Sequence, residues 1–140
     1  MRTFDPEIVR QATAQYAENI EGFNPEEWLE TEENVALTND KGDVALFQRE
    51  LPGVVCGHYF FHSRGKEAVK VAKKFLEEAF TGPYNIHLIR GLTPLQHLGA
   101  RWMNRQLKFK SYGVVQAVYG PCELVILTRQ EWESASKENN

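Results

Sequence analysis

The sequence predicts a mixed α/β sheet with helices on its faces. Three observations carry that reading. The middle of the chain alternates strand and helix patterns in the order βαβα. A turn signal at Asn39 to Gly42 joins two strand patterns into a hairpin before that segment. Two more strand patterns close the chain after it, so the edges of the sheet are antiparallel.

Asp5-Pro6-Glu7 is a helix start: a capping side chain, a proline in the first turn and an acid near the positive end of the dipole. Ile8, Ala12, Tyr16 and Ile20 follow as one helical stripe. Asn24-Pro25-Glu26 repeats the start signal for a short helix bearing Trp28 and Leu29. "NVALTND" and "DVALFQREL" are the hairpin strands, and Pro52-Gly53 breaks the chain. "VVCGHYFF" is apolar on both faces for much of its length, which suits a central strand.

From Arg64 to Phe80, Ala68, Val71, Ala72, Phe75, Leu76 and Ala79 share one helical face. Lysines and glutamates fill the other. "IHLIRGL" is the fourth strand. A right-handed crossover makes Val54–Phe61 and Asn85–Gly91 parallel neighbours. Thr93-Pro94-Leu95-Gln96 has the form of a capping box, predicting a helix whose core side holds Leu95, Leu98, Trp102, Met103 and Leu107. "SYGVVQAVYG" and "CELVILT" are the closing strands, with Tyr112 and Tyr119 as packing groups at strand edges. The polar end, residues 135–140, reads as a disordered tail after one domain spanning 1–134.

The 140 residues suit a single core. A net charge of −3 gives no basic field for bulk nucleic-acid binding. No apolar run is long enough to cross a bilayer, and the N-terminal stretch lacks a signal-peptide pattern, so a cytoplasmic protein is expected. Cys56 and Cys122 lie in apolar runs and read as buried free thiols. The histidines have no metal-ligand spacing, so no metal is expected.

The stretch most suggestive of chemistry is "HSRGKEAVKVAKKFLEEAF", His62 to Phe80. A glycine and two basic residues at a strand-to-helix junction suit a phosphate, because helix-start N–H groups and the dipole favour an anion. The same residues also make an ordinary helix cap with a solvated first turn. His58 is a base facing a cleft or a hydrogen-bonded core residue, with His62 and His87 near it across the sheet. Glu50 approaches the same cleft or is a polar strand end.

Element order over nearly the whole chain resembles the GNAT superfamily of acetyl-CoA-dependent N-acetyltransferases. Arg64-Gly65-Lys66-Glu67-Ala68-Val69 resembles the family's Arg/Gln-Gly-x-Gly-x-Gly/Ala loop. "TPLQHLGARWMNRQLKFKSYG" resembles its second motif, with Ala100, Phe109 and Gly113 in place. "RGLTPLQHLGARW" resembles small GNAT-like proteins of tailed bacteriophages. The resemblance implies a mostly antiparallel sheet with a central, splayed parallel pair. It implies acetyl-CoA held by His58, Tyr59, Phe60, Phe61, Ser63, Arg64, Gly65, Lys66, Glu67 and Ala68, and an unidentified amine as acceptor.

Departures from the family pattern are specific. Glu67 stands at a loop glycine, Val69 at a second small residue, His97 at the asparagine and Lys108 at the glycine before Phe109. Asn104 stands where the family often has a tyrosine proton donor. His58, Glu50 and Tyr112 are the candidates left for catalysis. The rival expectation is a non-catalytic virion or assembly protein of a phage, using this fold for contacts with protein partners.

Overall fold

The structure, a computed structural model, describes residues 1–14, 23–118 and 120–138. Helix α1 (Pro6–Thr13) starts where Asp5 accepts the Glu7 N–H at 2.9 Å. Its Ile8 and Ala12 are described; Tyr16, Ile20 and Tyr119 lie outside the described residues. Helix α2 (Pro25–Glu30) is capped by the Asn24 side chain in the same way. Strands β1 (Val35–Thr38), β2 (Val44–Leu51) and β3 (Gly53–Phe60) form consecutive antiparallel pairs.

Helix α3 (Gly65–Thr81) crosses to β4 (Ile86–Pro94), which runs parallel to β3. Helix α4 (Leu98–Gln106), β5 (Lys110–Ala117), β6 (Gly120–Thr128) and α5 (Arg129–Glu138) complete the chain. The six-stranded sheet has the order β1-β2-β3-β4-β6-β5. Every pair but β3–β4 is antiparallel.

Strand alternation separates two cores. Val35, Leu37, Ala45, Phe47, Val55 and Ile89 face α3, where Val71, Ala72, Phe75, Leu76, Ala79 and Phe80 meet them. Ala36, Val44 and Leu46 face the other way, onto Val9 and Ala12 of α1 and onto Trp28. Cys56 and Cys122 are buried free thiols.

Four expectations fail for identifiable reasons. Thr93-Pro94-Leu95-Gln96 does not start a helix. β4 runs to Pro94, which pairs with Cys122, and Thr93 Oγ1 accepts from Asn104 Nδ2 at 2.9 Å rather than capping. Helix α4 starts after His97 with no side-chain cap. Its core side is Met103, Asn104 and Leu107, while Leu98 is 70% exposed and Trp102 stands at the surface. The polar end is not all tail. Thr128 and Glu131 exchange backbone-to-side-chain bonds at 3.1 Å, a capping box that starts α5. Trp132 then packs on Phe80 with ring centroids 5.4 Å apart. Tyr112, finally, is 59% exposed on edge strand β5 and packs little.

Phe80→Ala is expected to cost about 3–5 kcal/mol in chemical denaturation, since it empties a buried site shared by α3 and α5. Leu98→Ala is expected to stay within about 0.5 kcal/mol of wild type, as an exposed position should.

Candidate functional site

The parallel β3–β4 ladder ends at Cys56↔Arg90. Both strands continue, but each follows its outer neighbour: Phe60 pairs with Val44 of β2, and Pro94 with Cys122 of β6. Between the diverging ends lies a cleft of about 720 Å³. Gly57 to Phe61 form one wall and Ile89 to Pro94 the other; Ala100, Met103 and Asn104 of α4 close one side. Gly57 leaves little room for a side chain at the fork. A Cβ there would stand 3.1 Å from Ile89 Cγ2, tighter than side chains normally pack.

The cleft opens onto the start of α3. Ser63, Arg64, Gly65 and Ala68 line it. Gly65 has φ +57, and open space surrounds the position a side chain would take. Arg64, the residue before the helix, makes no side-chain cap. An α-helix leaves its first N–H groups without intrahelical partners, so the Gly65, Lys66 and Glu67 N–H groups at the start of α3 have none. Those donors, the dipole and the Arg64 guanidinium fit a diphosphate. Arg64 donates meanwhile to the carbonyls of Phe61 and Ser63.

Not every sequence candidate lies in the cleft. Lys66 and Glu67 do not line it. The Glu67 carboxylate turns to Lys41 of the β1–β2 turn, 2.9 Å away, so its charge is already partnered. Tyr112 stands apart on β5. His87 does not join His58: it lies against Gly53 at the other end of the parallel pair, with Nε2 3.1 Å from Asn85 Oδ1. His62 packs against Gly42. Among the described residues, no cluster of three His, Cys, Asp or Glu side chains is arranged to hold a metal, and no helix is long and apolar enough to cross a membrane.

His58 lines the cleft and remains exposed there. Partial removal of water lowers its pKa, the Arg90 cation lowers it further, and Glu50 opposes both. The ring is therefore a neutral acceptor near neutral pH. Glu50 does not enter the cleft; its two carboxylate oxygens accept from Nε and Nη2 of the Arg90 guanidinium across β3. Tyr59 rests its ring on Phe47 and Phe61, and burial holds its hydroxyl in the protonated form.

At the tyrosine position of the second motif, Asn104 is buried and fixed on Thr93. An amide donates a hydrogen bond there but releases no proton. Lys108 adopts φ 69, the left-handed conformation for which glycine is the usual choice.

Sequence reading passed over Asp43. It is fully buried, and its carboxylate accepts from His62 N at 2.6 Å, Ser63 N at 3.1 Å, Ser63 Oγ at 2.8 Å and Asn39 Nδ2 at 3.1 Å. Burial alone would raise its pKa, but these bonds together hold it below the usual carboxylate value. Nothing but its place after Gly42 distinguishes it in the sequence.

No family model matches the chain, and no curated protein matches it. Solved structures do. Spermidine N-acetyltransferase SpeG from Vibrio cholerae, as its F149A mutant, superposes with a TM-score of 0.73 at 11% identity, covering 97% of this chain and 98% of that one. Aminoglycoside acetyltransferase AAC(6')-Ib in complex with coenzyme A gives 0.68 at 17% identity, over 97% and 96%. A GNAT-family acetyltransferase from Bacillus anthracis gives 0.64 at 10% identity, over 92% of each chain. The chain has the GNAT fold, with its mostly antiparallel sheet and one parallel pair.

The His58 ring is expected to titrate below 6.5 by NMR. Arg90→Gln should raise that midpoint by removing a cation, and Glu50→Gln should lower it. Because folding disfavours the charged ring, its contribution to stability is present above the unfolded pKa and is lost as pH falls through the lower folded one. A wild-type midpoint at or above 6.5 would contradict this electrostatic picture.

Proposed function

We propose that this protein binds acetyl-CoA in the cleft between β3 and β4 and is an N-acyltransferase-type protein with slow transfer to amines. One observation carries the reading: the strands part at the place where an uncapped helix start offers its N–H groups. Neighbours of the same fold, AAC(6')-Ib among them, were crystallised with coenzyme A, with kanamycin beside it in one case.

Acetyl-CoA supplies the acyl group as a thioester. The N–H groups at the start of α3, from Gly65 to Glu67, with Arg64 as the cation beside them, hold its diphosphate. The backbone from His58 to Phe61 flanks the pantetheine arm, and Ala68 leaves room beside it. Neutral His58 takes the proton from an attacking amine at its free ring nitrogen. Asn104 orients by hydrogen bonding but donates no proton to the leaving thiolate, which is why turnover is slow.

That last feature also favours a second reading, a non-catalytic GNAT-fold protein with protein partners, such as a phage virion or assembly component. The two readings part on coenzyme binding and thiol release.

Calorimetry is expected to show acetyl-CoA binding, weakened about tenfold in Arg64→Ala, the loss of a charge-assisted contact. Absence of binding by folded wild type would put the second reading first.

Thiol release over a panel of amines should be slow in wild type and faster in Asn104→Tyr. A positioned acid typically contributes about a hundredfold to ten-thousandfold. Brisk wild-type turnover would mean that another group supplies the proton.

A further inference from the structure

We propose that Asp43 is a positioning residue for coenzyme binding, its buried carboxylate holding the His62–Ser63 backbone so that the first turn of α3 faces the diphosphate. The proposal rests on the coenzyme reading above.

A solitary buried carboxylate is costly unless it is fully hydrogen-bonded. Among the described residues Asp43 has no ion-pair partner, and every hydrogen bond to its carboxylate comes from a neutral donor. Three of those contacts come from two successive residues, His62 and Ser63, at the end of the wall that leads to α3. The carboxylate therefore acts as an internal anion. It turns the His62 and Ser63 N–H groups inward and leaves those of the first helical turn, on Gly65, Lys66 and Glu67, for a ligand outside.

Its own position is over-determined. Asn39 Oδ1 accepts from Asp43 N at 3.0 Å and from Lys41 N at 3.0 Å, and Thr38 Oγ1 donates to the Asp43 carbonyl at 3.0 Å. The β1–β2 turn is thereby made into a rigid brace. The same turn reaches the first turn of α3 a second time, through Lys41 and Glu67. The two consecutive N–H groups converge on one oxygen, Oδ1, while Oδ2 accepts from Ser63 Oγ and Asn39 Nδ2, so only a group with two acceptor oxygens satisfies all four donors.

The test is an NMR titration of wild type, Asp43→Asn and Ser63→Ala with coenzyme A and, at millimolar concentration, with pantetheine, which lacks the diphosphate. Asp43→Asn replaces one acceptor oxygen by a donor. It is expected to weaken coenzyme A about tenfold, the effect of losing one hydrogen bond to a charged group, and to leave pantetheine unchanged. Ser63→Ala is expected to shift coenzyme A affinity in the same direction by less. Equal losses for both ligands would reveal a merely structural role and overturn the proposal, as would an Asp43→Asn protein that binds coenzyme A like wild type. Should Asp43→Asn fail to fold, Ser63→Ala decides: selective weakening of coenzyme A supports the brace, and unchanged affinity overturns it. If folded wild type binds neither ligand, the coenzyme reading itself falls and the positioning role falls with it.

Discussion

The structure depends on where one hydrogen-bonded ladder stops. β3 and β4 pair only as far as Cys56↔Arg90, because beyond that point each strand is committed to a different neighbour. The outer ladders keep most of the backbone satisfied, so parting the strands costs little beyond the inner bonds. A parallel pair needs a crossover, and the crossover helix must begin near the carboxyl end of the first strand. Fork and helix start therefore share one location, and a cleft with an anion-attracting end follows from topology before any special side chain is considered.

The acids around that cleft are each neutralised or restrained. Glu50 is held by Arg90, and Glu67 by Lys41. Asp43 is held by backbone and side-chain donors under the loop. The exposed pair contributes little to stability in water. Its significance is directional: it takes a carboxylate that the sequence sets in the first turn of α3 and turns it to Lys41.

Much of the fold was legible because hydrophobic period and turn chemistry agree. The Asn39–Gly42 hairpin, the buried stripe of α3 and the parallel crossover all read directly from the residues. Two capping boxes show the limit. Thr93 to Gln96 and Thr128 to Glu131 look alike locally, yet the first is overridden by β4 pairing with β6, and only the second caps a helix. Leu98 and Trp102 followed helical spacing, but α4 buries Met103, Asn104 and Leu107, the face that packs on β4 and the core. The site was half legible. His58 to Phe61 and Ser63 to Gly65 line the cleft from one contiguous stretch, so a local motif finds them. Asp43 and the partners of Glu50 and Glu67 are distant in sequence, and only the folded chain brings them together.

The central claim is that the fork holds acetyl-CoA with its diphosphate on the first turn of α3. A crystal structure of the complex tests it most directly. The account predicts the pantetheine arm between β3 and β4 and diphosphate oxygens within hydrogen-bonding distance of the Gly65, Lys66 and Glu67 N–H groups. Coenzyme density elsewhere, or a fork closed by continued β3–β4 pairing beyond Cys56, would contradict it.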